Sequence, residues 1–191
     1  MKKFIPNFLF FAIVMMSTFV VSAQKYYVEA DGIGPVRVGA IYSTLPKTVD
    51  GLYDKLTVVE EYNAMEDYNE IYCTFSLNGQ DRFYASANQE GDIWSVTMAT
   101  SELQTKSGAY NSMPAREFIK LAGVKVTLHP EADDNQVRFK IDGVSVGIDE
   151  YSYTNAGTQK IQKALRSNVA PKFVETDFTT EAQIVLGGFN Y

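Results

Sequence analysis

The chain is poor in the side chains that carry chemistry. Its 191 residues include one cysteine, Cys73, one histidine, His129, and one tryptophan, Trp94. One cysteine closes no internal disulfide, and one histidine beside it builds neither a catalytic triad nor a histidine-rich metal site. Positive charge is also short: 17 lysines and arginines stand against 23 aspartates and glutamates, a net charge of −6. That sign repels nucleic acid and anionic lipid, so neither is an expected partner. His-Glu-x-x-His and a glycine-rich phosphate loop are both missing. Gly32-Ile33-Gly34 runs into Pro35 and a strand pattern rather than a helix, which disfavours phosphate binding. No catalytic, cofactor-binding or metal-ligating residue is assigned on this basis, and no cofactor is expected.

Long apolar runs are missing too, except at the start. Met1, Lys2 and Lys3 make a short positive segment, and an apolar stretch follows from Phe8 to Val21, broken by Ser17 and Thr18. It falls short of the about 20 apolar residues that a membrane-spanning helix needs. Val21-Ser22-Ala23 then offers the small residues that a signal peptidase reads. The expectation is a signal peptide over residues 1–23, cut between Ala23 and Gln24. A lipid-anchored product needs a cysteine where Gln24 stands. The expected mature chain, residues 24–191, is therefore periplasmic or secreted and carries no membrane anchor.

In an oxidising compartment Cys73 is either buried, reactive or paired with another chain. Alternation decides for burial: Ile71, Cys73, Phe75 and Leu77 fall on one face of a strand, and Tyr72, Thr74 and Ser76 on the other. Similar alternation predicts strands around residues 83–87, 94–98, 124–128, 137–141 and 144–148. Asn78-Gly79 and Asp142-Gly143 sit between alternating runs and tolerate the positive φ of a tight turn, which predicts two hairpins. Residues 131–135 link another expected pair.

Helix signals are fewer. Ser112 and Pro114 open a pattern over 112–122 that carries Phe118 and Leu121 and stops at Gly123. A second helix is expected over 157–167, with Ile161, Ala164 and Leu165 on one face and Lys163 and Arg166 in the last turn. A short helix or turn is expected around Thr44–Leu52. Finally, Gly39-Ala40-Ile41-Tyr42-Ser43-Thr44-Leu45-Pro46 matches Gly108-Ala109-Tyr110-Asn111-Ser112-Met113-Pro114 with one gap. Each copy precedes a run of strands. The expected fold is α+β: an antiparallel meander sheet with two or three short helices packed on one face. It is either one sheet or two tandem α-plus-meander repeats, over 34–102 and 103–170, with C-terminal strands in 171–191.

The phrase Gly32-Ile33-Gly34-Pro35-Val36-Arg37-Val38-Gly39, followed by Leu45-Pro46 and Gly51-Leu52-Tyr53-Asp54, resembles a family of uncharacterised exported proteins of Gram-negative bacteria, a domain of unknown function. That resemblance implies export and brings no activity with it. The tandem arrangement is also similar to β-lactamase-inhibitor-protein-like proteins. Outer-membrane assembly lipoproteins share that theme, with Gly-Met where this chain has Gly39-Ala40. This second resemblance implies a protein-binding role.

Two groups of residues remain as functional candidates. Glu60, Glu61, Glu66, Asp67 and Glu70 cluster in a tyrosine-rich stretch, and Asp133, Asp134 and Asn135 form a second acidic group. A carboxylate-dependent hydrolase needs two such groups about 5–10 Å apart in a cleft; solvated turns explain both clusters more simply. The Asp-Asp-Asn run lacks the spacing of a calcium loop. All 12 tyrosines follow the expected signal peptide. Tyr26, Tyr27, Tyr62, Tyr68, Tyr72, Tyr84, Tyr151 and Tyr153 lie mostly in or beside strands, and tyrosine is enriched in binding surfaces. Tyr72 and Tyr84 mark the expected binding face. The functional expectation is a non-enzymatic exported binding module, an inhibitor or adaptor, whose partner is a protein or glycan of the envelope. The alternative is a carboxylate-dependent hydrolase or binder acting on glycans or peptidoglycan.

Overall fold

A computed structural model describes residues 25–63, 68–129 and 137–189. The expected signal peptide and its Ala23–Gln24 site lie outside the described residues. So do Glu66, Asp67 and the linker over 131–135 with Asp133, Asp134 and Asn135.

Three two-residue strands, β1 (Val28–Glu29), β2 (Gly32–Ile33) and β3 (Val36–Arg37), form a small antiparallel sheet near the N-terminus. The Gly32–Arg37 phrase is the hairpin of that sheet, with Ile33 facing Val36 across a turn at Gly34-Pro35. A 3-10 turn covers Tyr42–Thr44 and meets the stretch Thr44–Leu52 expected as a short helix or turn only at Thr44; within that stretch a turn over 50–52 closes the Val49–Tyr53 bridge. A four-strand meander follows: β4 (Lys55–Asn63), β5 (Tyr68–Leu77), β6 (Gln80–Ala87) and β7 (Ile93–Met98). The second half contains α1 (Ala115–Phe118), β8 (Lys125–Leu128), β9 (Val137–Ile141), β10 (Val144–Ile148), α2 (Asn155–Ser167) and β11 (Ile184–Phe189). The large sheet has eight antiparallel strands in the order β4-β5-β6-β7-β11-β10-β9-β8. The chain is thus a mostly antiparallel meander with few helices, an α+β architecture.

Both hairpin turns form where the dipeptides predict them. Asn78 and Gly79 have φ of 53° and 78°, and Asp142 and Gly143 have 52° and 86°, so both central residues of each turn are left-handed. The helix over α2 starts two residues before its expected first residue. Thr154 caps it by accepting the Gly157 N–H, and Asn168 ends it in the left-handed region. The helix expected over 112–122 shrinks to Ala115–Phe118. Ser112 does not cap it: the residue is left-handed, at φ 66°, and its N–H donates to the Ile184 carbonyl. Met113 and Ala115 join the same ladder with residues 182–184, and extended pairing of that kind keeps the preceding residues out of the helix.

All described layers cover one face of the large sheet. Phe75 and Phe83 stack 4.5 Å apart beneath β5 and β6, with Tyr53 edge-on to Phe75 at 4.9 Å. Beneath the other half, Phe139 of β9 packs with Phe118 of α1 and with Phe173 and Phe178. Val28, Ile33 and Val36 of the small sheet join the same core. Cys73 lies in it too, 1 % exposed, as its strand face predicts. Helix α2 is anchored by Lys160, which meets the Asp177 carboxylate at 2.6 Å, and by Gly157 against the Asp177 backbone. Asp177 is 2 % exposed and also accepts the Val174 N–H. A buried carboxylate needs such partners.

Candidate functional site

Strand register lays out the opposite face. One row crosses all eight strands through Thr57, Thr74, Tyr84, Thr97, Gly187, Ser145, Lys140 and Lys125. The next row passes Val59, Tyr72, Ser86 and Ser95. None of these side chains belongs to the apolar core.

The face is polarised. At the β4–β6 end stand Tyr72 and Tyr84, 38 % and 42 % exposed, on adjacent strands and diagonal to each other. Each phenol donates to a carboxylate of its own strand: Tyr72 to Glu70, and Tyr84 to Asp81 at 3.2 Å. Burial, the hydrogen bond to Asp81 and the charge of Asp81 together raise the Tyr84 pKa, so its hydroxyl stays a donor. The middle of the face carries small residues: Ser86, Thr97 and Ser145 are half-buried, Ser95 and Gly187 buried. At the β8–β9 end Lys125, Arg138 and Lys140 occupy the outward positions. The strand of Arg138 and Lys140, Val137-Arg138-Phe139-Lys140-Ile141, shows the alternation openly; its polar members were the signal for this basic end.

Register also brings Glu61 of β4 directly opposite Glu70 of β5. Glu60 points to the other face and accepts from Asn69 at 2.8 Å. The Glu61–Glu70 pair stands at the end of β4 and β5, with Glu61 exposed and Glu70 half-buried under the Tyr72 hydroxyl that donates to it. Among the described residues, no group of three or more His, Cys, Asp or Glu is placed to hold a metal ion. None of the helices there is long and apolar enough to cross a membrane.

One expectation about a single residue changes. Alternation with Val96 and Met98 sets Trp94 on the inward face of the strand expected around 94–98, yet it is 43 % exposed. The register of β6 and β7 shifts between Ser86 and Ala87, so Ser95 pairs with Ser86 and Ile93 with Ala87. Trp94 is the extra residue, and Ile93 takes the buried place. One pattern also escapes the motif reading above: Gly143-Val144-Ser145-Val146-Gly147 has Gly-x-Ser-x-Gly spacing. Ser145 lies inside β10, paired with Lys140 and Gly187, not on a strand-to-helix elbow, and His129 sits beyond the end of β8 beside Thr127. The nucleophile geometry is therefore missing.

Among the other tyrosines, Tyr151 is the most exposed, at 83 %, on the 3-10 turn before α2. Tyr53 and Tyr153 belong to the core or its border, where burial raises both pKa values. Tyr62 is exposed on β4, while nothing is described for the Tyr68 side chain. Compared with protein families, with curated proteins and with solved structures, the chain matches none.

Proposed function

We propose that this protein is an exported, non-catalytic binding module that holds a protein partner against the outer face of its eight-stranded sheet. The observation that carries this reading is the covering of only one sheet face by the described chain, while the other displays Tyr72 and Tyr84 over a floor of small residues. Exposed aromatic rings offer contact area at low entropy cost, and small neighbours leave them accessible. The charge gradient supports a partner of complementary sign. Its cationic side chains meet the Glu70–Tyr72 and Asp81–Tyr84 pairs, and its carboxylates meet Lys125, Arg138 and Lys140. An inhibitor or adaptor in the periplasm or outside the cell fits this surface, with residues 1–23 acting as the export signal.

The strand order supports the repeat reading. β4 to β7 and β8 to β11 are successive four-strand runs whose last members meet at the centre of the sheet. In both halves the Gly-Ala…Pro segment pairs with the lead-in to that last strand: residues 39–42 with 91–93, and 112–115 with 182–184. The second unit then extends through β11, and α2 is an insertion between its third and fourth strands.

Retention from envelope and culture extracts on the immobilised mature protein tests the binding reading. The expected result is one protein held in stoichiometric amount by the native chain and lost on Tyr72→Ala or Tyr84→Ala, both variants keeping the native circular dichroism. Retention unchanged in both variants overturns the reading of this face. Release of reducing sugar from wall polysaccharide, abolished by Glu61→Gln, supports the hydrolase alternative instead.

A further inference from the structure

The two edges of the large sheet differ. β8 is four residues long and opens on Lys125. β4 is nine residues long, contains no proline and pairs with β5 without a bulge. Its Val58 and Val59 point to opposite faces, yet are 43 % and 46 % exposed. A long, regular, partly apolar edge is a template for another strand. On this edge Glu61 faces Glu70 across the β4–β5 pair, with Tyr72 donating to Glu70. Lys55 lies on that same outer face near the other end of the strand, and it is exposed.

We propose that β4 is the interface of a symmetric homodimer, pairing antiparallel with β4 of a second copy about an axis at Val58. Backbone geometry restricts the choices. Alternate residues of β4 turn their N–H and C=O toward β5, and those between turn outward. Facing residues in an antiparallel pair must be of the same kind, so odd positions meet odd and even meet even. An axis at Thr57 sets Asp54 against Glu60, and an axis at Glu60 sets that carboxylate against itself. An axis at Val59 leaves Lys55 opposite Asn63. With the axis at Val58, Lys55 faces Glu61 of the second copy on both sides of the axis, and Thr57 faces Val59. Each Lys55 then arrives beside the other copy's Glu61–Glu70 pair, and Val58 meets its own counterpart. The Lys55–Glu61 match on both sides of the axis favours this register, in which Leu56 also faces Glu60. The seam from Lys55 to Glu61 is smaller than a standard interface of about 1,600 Å², so the dimer forms in a concentration-dependent way.

Sedimentation of the protein recovered after export, over a concentration series, tests the proposal together with hydrogen exchange of the β4 amides. The expected result is a monomer–dimer equilibrium in which alternate amides between Lys55 and Glu61 gain protection as concentration rises. Lys55→Glu and Glu61→Lys each weaken the dimer about tenfold or more, because both place like charges across the seam. The double variant, Lys55→Glu with Glu61→Lys, restores it. Both positions are exposed, and a urea midpoint no lower than the native one in each single variant shows that the fold is kept. Tyr84→Ala leaves the dimer intact, which separates this edge from the partner-binding face. A monomer throughout the series overturns the proposal. So does a dimer whose β4 amides exchange freely, growth past the dimer, or single-charge variants that associate like the native chain.

Discussion

A Cβ built on Gly157 would lie 2.3 Å from the carbonyl oxygen of Asp177. Gly157 sits in the first turn of α2, and Asp177 in the 3-10 turn over Glu175–Asp177, so this contact sets how close the helix approaches the sheet's second half. Two effects of Gly157→Ala oppose each other. Alanine gains about 1 kcal/mol in helix propensity. Overpacking against a backbone oxygen, which has no rotamer to change, costs about 1–3 kcal/mol or more. The clash wins at this distance, so the variant loses about 1–2 kcal/mol net. A urea midpoint at or above that of the native chain contradicts the account.

Asp142 has a second role besides its place in the β9–β10 turn. Its carboxylate accepts the backbone N–H of Ser107 at 2.7 Å and the Ser107 hydroxyl at 2.8 Å. Partial burial works against the charge, but these hydrogen bonds outweigh it and hold the pKa below the ordinary 3.8. A lowered native pKa stabilises the fold above the ordinary value, and that stabilisation is lost as pH falls through the native one. Asp142→Asn is therefore less stable than the native chain near neutral pH, and the gap narrows as pH falls below 3.8 through the lowered native pKa. Paired denaturation curves near neutral pH and below pH 3.8 give the gap directly. A gap of the same size at both assigns Asp142 a purely steric role.

Much of this architecture is local, and local features can be read from a chain. The two hairpins rest on dipeptides that tolerate left-handed φ, and α2 rests on spacing and caps within its own length. Cys73 was placed in the core by the alternation of its neighbours, and Tyr72 and Tyr84 were placed outside by the same period of two. What escaped is set by partners far away in sequence. Ser112 looks like a helix cap until Ile184, in a distant segment, claims its N–H. Trp94 looks inward until the β6–β7 register adds a residue. The Glu61–Glu70 pair exists only because β4 and β5 align residue for residue, and the basic end of the outer face needs β8 and β9 side by side. A period of two tells which side a residue takes and leaves open which residue stands next to it on the neighbouring strand.

Burial pushes the Cys73 thiol from 9.0 up to about 11. A raised native pKa means that the folded state resists ionisation. The stability this represents is complete below pH 9 and is lost as pH rises through about 11, amounting to about 2–3 kcal/mol. Cys73→Ala lacks that alkaline loss, although its cavity lowers stability at neutral pH. The difference in unfolding free energy between the two chains should therefore shrink between about pH 8 and about pH 11. Alkylation gives an independent check: the native thiol reacts with iodoacetamide only on the timescale of unfolding. Fast alkylation at neutral pH contradicts burial of Cys73.

The two faces of β5 and β6 make opposite demands on neighbouring aromatic residues, and substitution separates them. Phe75 and Phe83 are fully buried and stacked, so Phe75→Ala or Phe83→Ala costs about 3–5 kcal/mol. Tyr72 and Tyr84 lie one residue away along the same strands, but half their contact is with solvent and with a carboxylate of their own strand. Replacing either by alanine removes one cross-strand neighbour and some strand propensity, about 1 kcal/mol or less. A fold spends large exposed rings there without needing them for stability, and that is the physical reason to regard them as a contact surface. Urea midpoints of the four alanine variants measure the contrast. If Tyr72→Ala or Tyr84→Ala falls as far as Phe75→Ala, the tyrosines hold the sheet together and their exposure has no bearing on binding.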